Sequence, residues 1–454
     1  MKTKTDYRTL GCPPAVTILF AAMAMLLTMM CSQALALNMD VRPENTTVLY
    51  EGDGSSAIQV RVIAPDILPS PDRPPLNLAL VLDRSGSMGE EGKMEHVLQA
   101  AHMLVDRLGP DDILTIVTYN NRVHVPVSAC RVTNRWKLHR IIDEIRAEGR
   151  TFLSGGLEEG FRQAKRQRRK GTISRVVLLS DGLANVGVTD IGQLRRRASS
   201  MYEDGVSVST FGMGYDFDED LLASMANGGG GSYHYLSRPG DIVAALTREF
   251  NMMARTSASG VEIIIRPLGG ARFETAPGHS WKLEGSSAVI GLGDVSAGET
   301  RTLMAKLNVP TGRIGNQEVA EVSVRYTDPA SGKVFRESTE AVSLAVIDDP
   351  RRYRESFDAG VQEKKAVIET NVLMEEAARK VDGGDRAGAM SIIRKAVGAL
   401  MAAPSPEAPA VKMEMERIKT YSDKLDDLDT MAPGKVREMQ KDQKYRSYQQ
   451  LNQQ

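Results

Sequence analysis

The chain has 454 residues, of which 42% are hydrophobic and 25% are charged. That length accommodates two or three domains, and the composition is typical of globular proteins with sizeable cores. Because 57 basic residues stand against 58 acidic ones, for a net charge of −1, nothing in the charge balance indicates a nucleic-acid partner.

The first 36 residues have the pattern of a secretory signal peptide. Three basic residues precede an apolar run over 15–30, and Ala34-Leu35-Ala36 offers the small residues that a signal peptidase requires. We expect cleavage after Ala36 and export to the periplasm, the cell envelope or the medium. The alternative is an uncleaved N-terminal membrane anchor, since the run is long for a signal. No later segment is apolar enough to span a membrane.

The cysteine count limits how the exported protein is stabilised. Cys12 and Cys31 leave with the signal peptide, so that Cys130 is the one cysteine of the mature chain. An internal disulfide is therefore excluded, and we expect full-sized domains that are stabilised by hydrophobic cores.

An α/β domain is predicted over residues 76–256. It begins with a strand, Leu76 to Leu82, whose residues are nearly all apolar, as expected for a strand buried on both faces. Helical and strand patterns then alternate along the chain. This alternation predicts a doubly wound, mostly parallel, Rossmann-like sheet with helices on both faces.

The flanking segments predict two further units. Residues 257–349 show short alternating strands that are typical of an antiparallel β-sandwich. Residues 37–75 contain N-terminal strands and a proline-rich linker, and two short strands cannot bury a core alone. We therefore expect them to pair with the sandwich, which makes the α/β domain an insertion. Residues 350–430 read as a helical region and 431–454 as a disordered tail.

Five oxygen-bearing side chains are predicted at one edge of the α/β sheet. Two follow buried strands directly, and ligands of open α/β sheets bind at the carboxyl ends of strands. Such hard oxygen donors favour Mg²⁺, with Mn²⁺ or Ca²⁺ as alternatives, over zinc or copper. Only two of the five carry charge, so they at most offset the charge of a divalent ion. Mg²⁺ takes six ligands and readily keeps water among them, which leaves a coordination position open to an outside carboxylate. The five residues are Asp83, Ser85, Ser87, Thr151 and Asp181.

A simpler interpretation exists for each of these residues alone. Ser85 and Ser87 are residue types that cap a following helix, and Asp181-Gly182 is a common turn sequence. The joint occurrence, with both aspartates at the ends of apolar strands, favours the metal site.

The order Asp-x-Ser-x-Ser, then Thr, then Asp after a later strand resembles the metal-ion-dependent adhesion site of von Willebrand factor type A domains. The stretches 178–182, 211–214 and 231–235 look like secreted bacterial members of that family. The resemblance implies a metal-dependent protein-binding or adhesion module, with the five residues as ligands and an Asp or Glu of a protein partner completing the shell. It places Arg84 and Arg150 on the rim, although the family usually has a small residue at position 150.

These residues distinguish between two classes of function. A Mg²⁺-dependent hydrolase of the haloacid dehalogenase type needs a second carboxylate two residues after its first aspartate, but Ser85 stands there. We therefore favour a binding module over an enzyme. The basic run Arg162 to Lys170 either complements the end of a helix dipole or offers contact with an anionic surface.

Overall fold

The computed structural model describes residues 37–66, 73–329 and 331–452, with the backbone alone at 337–339. The predicted signal segment, residues 1–36, lies outside the described residues. Within the described ranges, no helix combines the length and the apolar character needed to cross a membrane.

The chain forms sixteen strands within the described residues, arranged in three sheets. In chain order they are β1 Asn38–Pro43, β2 Thr47–Leu49, β3 Ser55–Ile63, β4 Leu76–Asp83, β5 Ile113–Tyr119, β6 Val123–Arg131, β7 Ile173–Ser180, β8 Ser207–Met213, β9 Gly230–Leu236, β10 Thr256–Pro267, β11 Arg272–Thr275, β12 Trp281–Glu284, β13 Ser287–Ser296, β14 Thr300–Asn308, β15 Gly315–Thr327 and β16 Val334–Ile347.

The same residues form eleven α-helices, six of them in the α/β domain and five after the last strand. They are α1 Lys93–Arg107, α2 Arg135–Asp143, α3 Leu153–Gln167, α4 Ile191–Glu203, α5 Glu219–Gly228, α6 Ile242–Ala254, α7 Pro350–Glu355, α8 Ala359–Asp382, α9 Arg386–Met401, α10 Pro409–Asp426 and α11 Pro433–Asn452.

The α/β domain is built on a six-stranded sheet in the order β6-β5-β4-β7-β8-β9. All neighbours are parallel except β6, which is antiparallel to β5. Every residue of β4 and β7 is buried, because helices cover both faces of the sheet. Two hydrophobic cores result, one on each face. The predicted doubly wound, mostly parallel fold is confirmed.

The β-sandwich includes strands from both sides of the α/β domain. β3 pairs antiparallel with β14 from Ser55↔Asn308 to Ile63↔Thr300, and β2 pairs parallel with β16. One sheet has the order β1-β3-β14-β11 and the other β12-β13-β10-β15-β16-β2. The α/β domain is therefore inserted between β3 and β10, which is the arrangement that the short N-terminal strands predict.

A buried ion network joins the sandwich to the α/β domain. Arg175, near the start of β7, donates to Glu249 of α6 and to Asp294 of β13, each at 2.6 Å. His234 of β9 approaches the second oxygen of Glu249 at 3.1 Å. Because Arg175 lies near the amino end of β7, the sandwich is attached opposite the sheet edge where the predicted ligands lie.

The prediction of a disordered tail is wrong, because Pro433–Asn452 forms helix α11. A composition rich in Gln, Lys and Asp indicates disorder only when the polar side chains stay in water. In this helix the Lys444 side chain is 8% exposed, and its ammonium pairs with carboxylates of α5 and α8. Tyr448 enters a core of the α/β domain, and Leu451 packs against β3, β14 and α8. These contacts with three units hold the helix in place.

Candidate functional site

Asp83 ends β4 and Ser180 ends the neighbouring parallel strand β7, so both lie at the same edge of the sheet. The Asp83 side chain is fully buried. One carboxylate oxygen accepts from the Ser85 N–H and the other from the Ser180 hydroxyl, both at 2.8 Å. Burial raises the pKa of Asp83 to about 6, and the charge of Asp181 adds to the rise. A nearby cation would favour the ionised form.

The two serines of the loop after β4 form a chain of contacts that leads to Asp181, which directly follows β7. The Ser85 and Ser87 hydroxyl oxygens are 3.2 Å apart, and Ser87 donates to Asp181 Oδ1 at 2.8 Å. The alternative role of Ser85 as a helix cap is not realised. The short 3₁₀ helix Gly86–Gly89 follows Ser85 but receives no hydrogen bond from its side chain.

Thr151 is brought to the same edge by a tightly bonded loop. Its N–H donates to the Asn185 side chain at 3.1 Å, and the Asn185 N–H donates to the Thr151 carbonyl at 3.2 Å. Gly149 has φ +84°, and a β-carbon there would lie 2.9 Å from the Asn121 side-chain oxygen. A larger residue would therefore displace the loop that carries the threonine.

The threonine and serine hydroxyls face a common point. A β-carbon built on Gly182 would lie 3.7 Å from both Ser87 Oγ and Thr151 Oγ1. Together with the bonds of Asp83 and Asp181, this places all five predicted residues at one sheet edge. Within the described residues no group of three or more His, Cys, Asp or Glu side chains is arranged to hold a metal ion. The hydroxyl-rich set with two carboxylates fits Mg²⁺, which retains water readily, better than Zn²⁺.

Lys93 belongs to the candidate site, although the sequence pattern did not indicate it. Its ammonium lies 2.8 Å from Asp181 Oδ2, and its side chain is 7% exposed while that of Asp181 is fully buried. Burial lowers the pKa of Lys93, but the bond to Asp181 and the surrounding acidic charges outweigh it and raise the pKa above its ordinary value. Lys93 is the first residue of α1, where a cation opposes the helix dipole. A lysine at this unfavourable position is the sequence feature that could have indicated a role other than helix stabilisation.

The rim residues differ from one another in exposure. Arg84 is 14% exposed and donates to Glu148 at 2.7 Å, so its guanidinium is engaged with the Thr151 loop. Arg150 is exposed, as expected for a residue that meets a partner. Leu183, directly after the Asp181-Gly182 turn, is 59% exposed. The rim thus presents one cationic and one apolar side chain beside the predicted ligands.

A groove of about 490 Å³ extends from these residues to helix α11. Ser87, Thr151 and Asp181 line one end, and Arg437 and Lys441 line the other. Both cations already have acidic partners in the α/β domain. The C-terminal helix therefore forms one wall of the candidate site, an outcome that the tail composition did not indicate.

Comparison with known proteins agrees with the fold of the α/β domain. The sequence profile of the von Willebrand factor type A domain matches residues 77–245. An uncharacterized protein from Synechocystis sp. is 28% identical over 335 residues, which is 71% of this chain and 78% of that protein. The uncharacterized protein YfbK of Escherichia coli is 28% identical over 263 residues, covering 56% of this chain but 45% of its own length.

A solved structure extends the likeness beyond the α/β domain. The von Willebrand factor type A protein from Catenulispora acidiphila aligns with a TM-score of 0.69 over 84% of this chain and 90% of its own. At 15% sequence identity this likeness concerns the fold alone. The sheet order, the position of the five polar residues and the profile match lead to one assignment: residues 77–245 are a von Willebrand factor type A domain.

Proposed function

We propose that this protein is an exported, metal-dependent protein-binding module of the adhesion type. Asp83, Ser85, Ser87, Thr151 and Asp181 would hold one Mg²⁺ ion, or Mn²⁺ or Ca²⁺ in its place. An Asp or Glu of a protein partner would complete the coordination shell. The observation that carries the proposal is the convergence of five oxygen-bearing side chains, only two of them charged.

The charge balance at this edge explains why a carboxylate would be recruited. The two aspartates offset the charge of a divalent ion, and the buried ammonium of Lys93 adds one positive charge. The loaded site would therefore carry a net charge of about +1. A partner carboxylate neutralises it, whereas water does not. Because the site is largely buried, this attraction is screened less by solvent and salt than one between exposed charges.

The surroundings support protein recognition over a small-molecule reaction. Domains of this family are commonly interaction or adhesion modules and mostly lack enzymatic activity. The exposed Leu183 beside the ligands offers apolar contact to a protein surface. Arg150 offers a cation to an acidic partner. The N-terminal pattern supports export. Cleavage after Ala36 would release the protein to the periplasm, the cell envelope or the medium, whereas an uncleaved segment would anchor it to the membrane.

Calorimetry with Mn²⁺ tests the metal site. The parent protein is expected to bind about one ion per chain, and Asp83→Ala should abolish binding because a charged ligand is lost. Thr151→Ala, which removes a neutral ligand, should weaken binding less. Asp190→Ala is the matched control, since that aspartate caps α4 in the same domain and lies outside the ligand set. Unchanged affinity in Asp83→Ala would refute the site.

Affinity capture from a host extract tests recognition. Partners held in Mg²⁺ should be released by EDTA and should not be captured by Asp83→Ala. Arg150→Gly is expected to alter partner affinity more than Mn²⁺ affinity, because its side chain is exposed beside Thr151. If the same partners are retained with EDTA and by Asp83→Ala, recognition belongs to the sandwich, the helical region or an anionic contact of the Arg162–Lys170 segment.

A further inference from the structure

A second cluster of titratable side chains lies between helices α1 and α2. Each helix carries a histidine four residues before an aspartate, His102 with Asp106 and His139 with Asp143. The pairs cross between the helices. His102 Nε2 lies 3.0 Å from Asp143, and His139 Nε2 lies 3.0 Å from Asp106. The two Nδ1 atoms face each other at 2.7 Å.

The hydrogen-bonding capacity of these groups favours a cation between the rings. An ionised carboxylate only accepts hydrogen bonds, so each Nε2 must carry a hydrogen. In two neutral rings both Nδ1 atoms would then be bare acceptors, and two lone pairs at 2.7 Å repel each other. Either a proton on one ring or a metal ion shared by both rings removes this repulsion.

We propose that His102 and His139 form a binding site for a divalent transition-metal ion of the zinc class. Imidazole nitrogens favour such ions, whereas the oxygen ligands of the first site favour magnesium. Asp106 and Asp143 would act from outside the coordination shell, since a carboxylate on the far nitrogen fixes the tautomer and orientation of a metal-binding histidine. A divalent ion would also offset the full negative charge of the two aspartates, whereas one shared proton would offset only half of it.

The geometry is close to what such an ion needs. With Zn–N distances of about 2.0 Å, tetrahedral ligand nitrogens lie roughly 3.3 Å apart. The rings would therefore have to separate by about 0.6 Å. Both side chains are 28% exposed, and the aspartates that hold their Nε2 atoms are largely exposed as well. Two coordination positions would remain for water. The ion would link α1, which begins at Lys93, to α2, which leads into the Thr151 loop.

Zn²⁺ itself is the probe. Calorimetry uses the full-length protein without a histidine tag, in saturating Mg²⁺, with Cys130→Ser to remove an exposed thiol. We expect about one Zn²⁺ per chain, with a rise in Tm. His102→Ala or His139→Ala should abolish both effects. Asp106→Asn or Asp143→Asn should weaken affinity about 10- to 100-fold. His96→Ala, on the same helix but outside the cluster, is the matched control and should behave like the parent.

Asp83→Ala separates this site from the proposed function. It should keep Zn²⁺ binding at the histidines even if the magnesium site is lost or was never present. Absence of Zn²⁺ binding would show that the histidines share a proton only, and would overturn the proposal. Equal affinity in the parent and both histidine variants, or loss of Zn²⁺ binding in Asp83→Ala, would place the ion elsewhere and overturn it as well.

Discussion

Replacing Lys93 with methionine is expected to tighten metal binding. Without a metal ion, the Lys93 ammonium compensates the fully buried Asp181 carboxylate across 2.8 Å. Methionine has similar volume but no charge, so the metal-free variant contains an uncompensated buried carboxylate. A divalent ion that binds Asp181 restores the compensation and no longer faces a neighbouring cation.

The size of the effect follows from the cost of breaking a buried ion pair. Removing one partner of such a pair typically costs about 3–5 kcal/mol. In the Lys93→Met variant this cost falls on the metal-free state, and metal binding recovers it. If only half is recovered, the Mn²⁺ Kd falls at least tenfold, since tenfold corresponds to about 1.4 kcal/mol. The metal-free Tm should fall, and the rise in Tm upon addition of Mg²⁺ should increase.

Mn²⁺ calorimetry and thermal unfolding with and without Mg²⁺ measure these changes. Lys441→Met is the matched control, because Lys441 is 6% exposed and pairs with Glu219 at the other end of the groove. It should lower Tm without changing Mn²⁺ affinity. Equal or weaker Mn²⁺ binding in Lys93→Met would contradict this account of the charges around Asp181.

Three predictions concern stability. Burial raises the pKa of Glu249, but the Arg175 charge, together with the contacts of His234 and Ser209, outweighs it and lowers the pKa from 4.5 to about 2. The ionised group therefore adds about 3 kcal/mol above pH 4.5 that is lost as the pH falls towards 2, and Glu249→Gln should remove this acid-dependent loss in urea titrations. Gly160→Ala places a methyl 2.4 Å from a valine of β4 and should lower the free energy of unfolding by about 1–3 kcal/mol. Gly398→Ala, whose methyl would meet no neighbouring atom within 4 Å, should raise it by up to about 1 kcal/mol. Equal unfolding midpoints of the two variants would contradict this. Leu451→Ala, at a site 3% exposed, should cost about 2–5 kcal/mol and speed amide exchange throughout α11.

The sequence predicted the α/β fold because its evidence is local. A strand buried on both faces contains continuous apolar runs, and β4 and β7 contain such runs in Leu78–Leu82 and Val176–Leu179. Parallel strands end at the same sheet edge, so Asp83 and Asp181 could be placed near each other without coordinates. The N-terminal strands could be assigned to the sandwich because strands that short do not bury a core alone.

The tertiary structure decided which charges meet. Lys93 and Asp181 are separated by 88 positions, and His102 and His139 by 37, so no local pattern connects them. The composition of residues 431–454 describes a solvated chain, but helix α11 places its lysines against carboxylates of two other units. The spacing of apolar residues within one helix or strand depends only on which face of that element is buried, so it can be recognised in the sequence. Buried charge compensation depends on contacts between elements, which only the folded structure brings together.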